Sequence, residues 1–415
     1  MRNRSPRRSL AVATATVLGA AALAPALAPP AGAAPATDVR VATFNASLNR
    51  ATEGELVADL STPDDPQARA VAEIVQRTRP DVLVVQEFDH DAEGRAVRLF
   101  AENYLGRSQA GAAPVEYPYS FSAPVNTGVP SGFDLNGDGT VGGPDDAWGF
   151  GAFPGQYGMV VYSRHPIALE DVRTFQHFRW ADMPGALLPD DPATPEPADF
   201  YSPEELARLP LSSKSHWDVP VRVGGRTVHL LTSHPTPPVF DGPEDRNGRR
   251  NSDEIRFWAD YVSGLAASRH VYDDQGRRGG LRAGAAFVVA GDLNSDPRDG
   301  DSLPGSIDQL LEHPRVGTGR PPASEGAVEA SRLQGGVNDD HRSPAAHDTA
   351  DFAEPPGNIR ADYVLPSRQL RVRDSGVFWP RSDDPLSRLT GTFPFPSSDH
   401  RLVWVDLRVP GGPAA

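Results

Sequence analysis

The chain has 415 residues, with 40 Lys+Arg against 55 Asp+Glu, 23% charged and 39% hydrophobic residues, and no cysteine. That length accommodates several domains of about 100–200 residues or one large α/β domain with insertions. Without a thiol, disulfide frameworks, thiolate metal sites and cysteine nucleophiles are excluded together, so any catalysis uses oxygen and imidazole chemistry.

Residues 1–34 carry Arg2, Arg4, Arg7 and Arg8, no acid, an apolar stretch from Leu10 to about Leu27, and the small-x-small pattern Ala31-Gly32-Ala33. This predicts a secretory signal peptide, and Pro6-Arg7-Arg8-Ser9-Leu10 is similar to a twin-arginine signal. Its removal leaves 36 basic against 55 acidic residues, and no later apolar run is long enough to span a bilayer. A secreted, soluble, acidic monomer is expected. Strong negative charge argues against high-affinity, non-specific binding to duplex DNA or anionic lipid, because both depend on basic surfaces.

Strand-length apolar runs with β-branched content recur at 39–44, 82–85, 159–162, 219–223, 228–231, 287–290, 363–365 and 402–407. A helix is predicted after Asp65-Pro66, with Ala68, Val71, Ala72 and Val75 on one face and Pro80 as its stop. Gly224-Gly225 joins two of the runs as a hairpin, so part of the sheet is antiparallel. A second helix is predicted after Ser252, with Asp253-Glu254 in its first turn and Ile255, Trp258, Ala259, Val262 and Leu265 buried. Pro/Gly/Ala/Asp-rich stretches at about 106–156, 181–210 and 314–358 read as loops inserted into one domain spanning 35–415.

Several of these runs end in polar residues that a buried strand does not need. Asn45 follows the first run, Glu87 the second, His234 the run through Ser233, and Asp292-Leu293-Asn294 the run through Gly291. Asp362 and Asp399-His400 stand just before two other runs. Because one strand's end lies beside an antiparallel neighbour's start, all six groups can meet on one rim. A hard cation such as Mg²⁺ or Mn²⁺ suits the oxygen ligands Asn45, Glu87 and Asp399. Asp292 and Asn294 can orient or deprotonate a water, while His234 and His400 donate to charge developing on a phosphorane. Each group alone is more simply a strand-end turn or cap; their coincidence carries the argument.

Taken in order, Thr43-Phe44-Asn45, Gln86-Glu87, GMVVYSR at 158–164, Ser233-His234, Gly291-Asp292-Leu293-Asn294, Ala361-Asp362-Tyr363-Val364-Leu365 and Ser398-Asp399-His400 resemble the successive motifs of the endonuclease/exonuclease/phosphatase superfamily. The resemblance implies an α/β (α+β) four-layer sandwich of the DNase I type, two packed mixed sheets flanked by helices, and metal-dependent cleavage of phosphoester bonds without a covalent intermediate. It also implies metal-site roles for Asn45, Glu87 and Asp399, a water-activating pair in Asp292 and Asn294, and a catalytic His400 oriented by Asp362. His234 is similar to the histidine of the deoxyribonuclease and sphingomyelinase branches. Tyr157 and Lys214 are phosphate-contact candidates. Lys214, within Ser212-Ser213-Lys214-Ser215-His216, is the one lysine in the chain, although one lysine had to fall somewhere.

Asp134-Leu135-Asn136-Gly137-Asp138-Gly139-Thr140-Val141, continuing to Asp145, matches a Ca²⁺ loop, with oxygen ligands at Asp134, Asn136, Asp138, Thr140 and Asp145 and glycine at the sixth position. The other reading is an Asp/Gly-rich turn without metal. Arginines in the 241–250 segment could contact phosphate, but a solvated charged loop is the plainer expectation. The expected substrate is a small or lipid-linked phosphoester, serving phosphate acquisition; nucleic acid is the alternative, and a non-catalytic calcium-stabilised binding protein a further one.

Overall fold

Period-two burial along the strands sorts this chain into layers. The computed structural model describes residues 1, 35–317 and 319–411, so the leader expected at the N-terminus lies outside the described residues. Chain order runs β1 (Thr37–Leu48), α1 (Glu55–Leu60), α2 (Pro66–Thr78), β2 (Val82–Phe88), α3 (Arg95–Phe100), β3 (Tyr119–Phe121) and β4 (Met159–Ser163). It continues through β5 (Arg173–Thr174), α4 (Pro203–Leu206), β6 (His216–Val223), β7 (Arg226–Ser233), α5 (Arg246–Val262) and β8 (Ala286–Asp292). The last part supplies α6 (Asp308–Leu311), α7 (Glu325–Gln334), β9 (Ala350–Asp351), β10 (Asn358–Ile359), β11 (Asp362–Pro366), β12 (Arg371–Val377) and β13 (Val403–Val409).

Two sheets have the strand orders β12-β13-β1-β2-β4-β3 and β11-β8-β7-β6-β5. Each is mixed: β1/β2 and β7/β8 pair in parallel, and the other neighbours are antiparallel. On β1, Val39 and Val41 face the space between the sheets, while Ala42 and Phe44 face outward. The inter-sheet core continues with Val84, Val161, Trp217, Val219 and Val288. Outside the first sheet, Leu83 and Val85 pack on Val71 and Val75 of α2; outside the second, Leu231, Phe287 and Val289 pack on Ile255 and Trp258 of α5. The result is the expected helix–sheet–sheet–helix sandwich. Among the described residues, no helix is long and apolar enough to cross a membrane.

The local signals for α2 and the hairpin hold. Asp65 caps α2 by accepting from Ala68 N at 2.7 Å, Pro66 occupies the first turn, and the chain leaves the helix through a left-handed Arg79. Gly224 and Gly225 have φ of 56° and 76°, as a tight turn between β6 and β7 requires.

Three expectations are corrected. The second long helix begins at Arg246 rather than after Ser252, so Asp253 and Glu254 lie in its middle and are buried, whereas Leu265 is outside it and exposed. The two acids are interior because donors from neighbouring loops satisfy them: Asp253 accepts from Trp180 Nε1 and Leu187 N, both at 2.7 Å. The 314–358 segment is not simply loop. It contains α7, capped by Ser324 accepting from Ala327 N at 3.0 Å, with Ala327 buried in the inter-sheet core. The 106–156 segment likewise supplies β3 to the edge of the first sheet.

Candidate active site

Parallel pairing of β1 with β2 and of β7 with β8 brings four strand ends to one edge of the sandwich. The antiparallel β11 and β13 deliver their starts to the same edge. In register terms, Asn45 sits opposite Gln86, one residue before Glu87, and Asp362 sits directly opposite Asp292. The close approach is possible because position 291 is glycine: a Cβ there would lie 2.2 Å from the carbonyl oxygen of Ser233.

The side chains converge as the motif order implies. Asn45 Nδ2 donates to Glu87 Oε1 and Asp292 Oδ2, each at 3.0 Å. Asp292 Oδ2 also lies 3.3 Å from His234 Nε2 and 3.6 Å from His400 Nε2. The opposite ring nitrogen of His400, Nδ1, is 2.9 Å from Asp362 Oδ2, which further accepts from Thr349 Oγ1 at 2.8 Å. Asn294 N donates to Asp292 Oδ1 at 2.9 Å, and the Asn294 carboxamide donates to the Pro235 carbonyl at 3.1 Å. Asp399 joins the rim through Ser47 Oγ at 3.3 Å.

Charge in this dry edge is strongly redistributed. Burial would lift Asp292, but the imidazoles of His400 and His234 outweigh it and hold its carboxyl well below the usual carboxylate range. Burial alone would lower His400; the carboxylates of Asp362 and Asp292 overcome it and raise the imidazole well above its ordinary value. Burial and then Asp292 lift Asp362 to about 6, against the pull of His400. His234, desolvated and near Lys214, falls to about 4 and is a neutral imidazole at pH 7. Burial raises Glu87, and Asp399 adds to the rise.

The backbone is unusual at the same edge. Ser47, Glu87, Tyr157 and Asn294 all have φ between 49° and 56°. Asn tolerates this conformation, but for the other three it costs roughly 1–2 kcal/mol each. Strain gathered around one cluster of titratable groups marks a site whose geometry is set by the surrounding fold. Tyr157 is positioned by its own N–H, which donates to Asp89 at 3.1 Å, and its phenol is raised by burial and by the charge of Glu87.

Lys214 is buried, and its ammonium is lowered by that burial while Glu254, Glu87 and Asp292 favour its charge. The lone lysine therefore belongs to the rim. Glu254, missed as a site residue because it reads as a helix-start acid, is the support beneath it. Its carboxylate accepts from Ser213 N at 2.8 Å and from Thr236 N at 2.6 Å, tying the segments that carry Lys214 and His234 to α5. Asn251 on the same helix donates to the carbonyls of Thr236 at 2.8 Å and Leu293 at 3.0 Å. Glu254→Ala leaves two interior N–H groups without acceptors, at about 1–3 kcal/mol each. Urea unfolding should therefore show a loss of about 2–6 kcal/mol, with Glu254→Gln less affected; a change within about 0.5 kcal/mol would contradict this support role.

Two further expectations resolve differently. Arg250 is buried and donates to the carbonyls of Leu211, Pro210 and Trp148, and Arg246 pairs with Glu244, so both arginines hold loops in place. In the 134–145 loop, Asp134 accepts from Gly137, Asp138 and Gly139 N–H groups, and Gly137 and Gly139 take positive φ. Asp145 is exposed at the end of the loop; the neighbouring Asp146 is the buried residue, accepting from Leu135 N and Gly142 N at 2.7 Å. The chain brings Asp134, Asn136 and Asp138 together, and the short helical turn at Pro144–Asp146 buries its last side chain, Asp146.

The donors fit a divalent cation at the rim. Glu87, Asn45 and Asp399 offer hard oxygen atoms, and the half-buried Glu87 carboxylate, raised by desolvation, gains from any cation beside it. As oriented, Asn45 presents its amide nitrogen to the two carboxylates and its carbonyl oxygen to Ser47 N at 3.2 Å, so ligation requires the amide to turn. Asp292, Asp362 and His400 also place one ligand atom each within 4.8 Å of one another and could hold a metal ion.

The Endonuclease/Exonuclease/phosphatase family model matches residues 42–400. The chain belongs to this family. It is accordingly a hydrolase of phosphoester bonds, the activity of the endonuclease/exonuclease/phosphatase family. No curated protein sequence matches the chain. Solved structures similar to it include an endonuclease/exonuclease/phosphatase from Beutenbergia cavernae, 20% identical, with 91% of this chain and 73% of that chain covered and a TM-score of 0.49. Sphingomyelinase C from Streptomyces griseocarneus is 16% identical over 89% of this chain and 99% of its own, with a TM-score of 0.45. A family protein from Bacteroides thetaiotaomicron is 13% identical over 90% and 98%, with a TM-score of 0.44.

Proposed function

We propose that this family member hydrolyses small or lipid-linked phosphoesters by direct attack of water on phosphorus. The observation that carries the reading is the Asp362–His400–Asp292–His234 chain, in which two imidazoles face the Asp292 carboxylate at 3.3 and 3.6 Å and Asp362 holds the far ring nitrogen of His400 at 2.9 Å. Asp292 accepts a hydrogen bond from the water and orients it. As the water oxygen bonds to phosphorus and the P–O bond to the organic group breaks, the imidazolium of His400 stabilises the charge on the phosphoryl oxygens. A water proton ends on the departing alcohol. Lys214 and Tyr157, both near Glu87, contact the phosphate.

A divalent ion, Mg²⁺ or Mn²⁺, seated on Glu87 with Asn45 and Asp399 would supply Lewis-acid neutralisation of the phosphate. The Glu87 side suits it better than the Asp292–Asp362–His400 group, where the raised imidazole already occupies the space as a cation. A panel of phosphomonoesters and diesters with Mg²⁺, Mn²⁺ or Ca²⁺ tests the reading. Turnover abolished by chelation and restored by metal supports it, as does a KM raised about tenfold or more by Lys214→Met. Turnover of no ester above an Asp292→Ala control would end it.

We further propose calcium binding at the Asp134–Asp138 loop, supported by the turn geometry at Asp134 and Asn136. Calcium at a hundredfold excess over its Kd should stabilise the protein by about 2.7 kcal/mol, an increment absent in Asp134→Ala. An unchanged melting temperature in the wild type would refute it. The leader-like sequence of residues 1–34 supports a proposed role outside the cytoplasm. Expression of the full chain in a bacterial host should yield a product shortened at the N-terminus; an intact leader in every cell fraction would argue against export.

A further inference from the structure

A cleft of about 880 Å³ opens directly beside the catalytic rim, with Asp399 in its lining. It shares a wall with the site: Phe352 lines the cleft and stands edge-on to the His400 imidazole, with ring centroids 5.1 Å apart. The Asp351 N–H, from the same segment as Phe352, donates to the Asp399 carbonyl at 2.8 Å, so cleft and site are joined by backbone as well as by side chains.

The inner surface is aromatic and held rigidly. Trp379 is buried, with the Arg401 guanidinium 4.4 Å from its ring and 5.2 Å from that of Phe395. Arg401 is itself fully buried and donates to the carbonyls of Ser398 and His400, so the segment carrying the catalytic imidazole rests on the same stack. At the outer lip, Leu333 of α7 is 69% exposed and Phe393 is 85% exposed. Large apolar side chains left open at the edge of a concave surface mark a place where apolar surface is covered by a ligand.

The charges around the cleft exclude an anionic chain. Asp399 lines the cleft, Asp351 is neutralised by Arg401 at 2.9 Å, and the lining guanidinium of Arg388 is taken by Glu73 at 2.5 Å. A second phosphate extending past Asp399 would therefore meet carboxylate and aromatic carbon, without an uncommitted arginine among these residues.

We propose that this cleft seats the apolar organic group, alkyl or aryl, of a phosphoester whose phosphate lies over Glu87 and His400. The assignment rests on the phosphoester-hydrolase reading above and names its substrate class. It makes the polymer nucleic acid the disfavoured substrate.

Calorimetry on the whole protein with methyl-, octyl- and phenylphosphonate tests the cleft without turnover. A fully buried methylene is worth about 0.8 kcal/mol, roughly fourfold in affinity, so octylphosphonate should bind at least about tenfold more tightly than methylphosphonate. A preference for phenyl over octyl would assign the aryl branch, and the reverse the alkyl branch. Leu333→Glu and Phe393→Glu, both at exposed positions, should each weaken the longer ligand threefold or more and leave methylphosphonate unchanged. Equal affinity along the series, or equal losses for long and short ligands, would overturn the proposal. Binding that follows chain length without hydrolysis of the matching esters would leave the cleft standing and remove the hydrolase reading. Hydrolysis indifferent to chain length would do the opposite.

Discussion

Asp292→Asn is expected to lower kcat by about 10³-fold, within the 10²–10⁴ range for loss of a positioned acid–base group. The substitution keeps an oxygen to accept from Asn294 N, a bond of 2.9 Å, and keeps the side chain's shape. What it removes is the negative charge that His234 faces at 3.3 Å and His400 at 3.6 Å. Without it, water has no anionic acceptor and His400 loses one of the two carboxylates that hold its proton. The proposed phosphate contacts Lys214 and Tyr157 are untouched, so KM should change far less than kcat, the pattern of a group acting in the transition state. Single-turnover and steady-state kinetics at pH 7, with circular dichroism to verify folding, decide the matter. A variant that retains a tenth of wild-type kcat would show that the carboxylate is structural.

The second large effect is on pH dependence. His400 stands well above the ordinary imidazole value near 6.5, so its pairing with Asp362 and Asp292 contributes stability in full below that value. That contribution is lost as pH rises through the raised folded value, and the imidazolium proposed to stabilise the phosphoryl charge goes with it. Asp362 is lifted to about 6 by burial, so on acidification it protonates and releases its 2.9 Å hold on His400. Wild-type kcat/KM should therefore be bell-shaped, with an acidic limb near pH 6 and a basic limb well above neutrality. Asp362→Asn should remove the acidic limb and move the basic limb down by about one unit or more, each unit being about 1.4 kcal/mol of lost interaction. Basic limbs at the same pH in both proteins would show that Asp362 does not hold the proton on His400.

The convergence of these residues on one edge was legible because strands announce their ends. Apolar runs terminating in Asn45, Glu87, His234 and Asp292 are costly to bury without partners, and register then brings Asp362 opposite Asp292. Glu254 was not legible in the same way. An acid after Ser252 looks like the first turn of a helix, and only its acceptance of the Ser213 and Thr236 N–H groups shows why it sits in the middle of α5 in the dry interior. Asp146 was not legible for a related reason: spacing along a loop gives the count of candidate ligands but not which side chain turns inward to accept from Leu135 N and Gly142 N. The 314–358 segment concealed α7 because its buried face is small, with Ala327 rather than a leucine stripe entering the core.

By itself, the order of residues determined the layered α/β class, the motif series and the oxygen–imidazole chemistry, since periodicity and strand-end polarity are local properties. Only the tertiary structure decided which imidazole is charged, which helix supports the lysine, and that an aromatic cleft adjoins Asp399. Those features arise from desolvation and from contacts between residues as distant as Asn45 and Asp292, or Phe352 and His400, and no local pattern encodes how much water such contacts exclude.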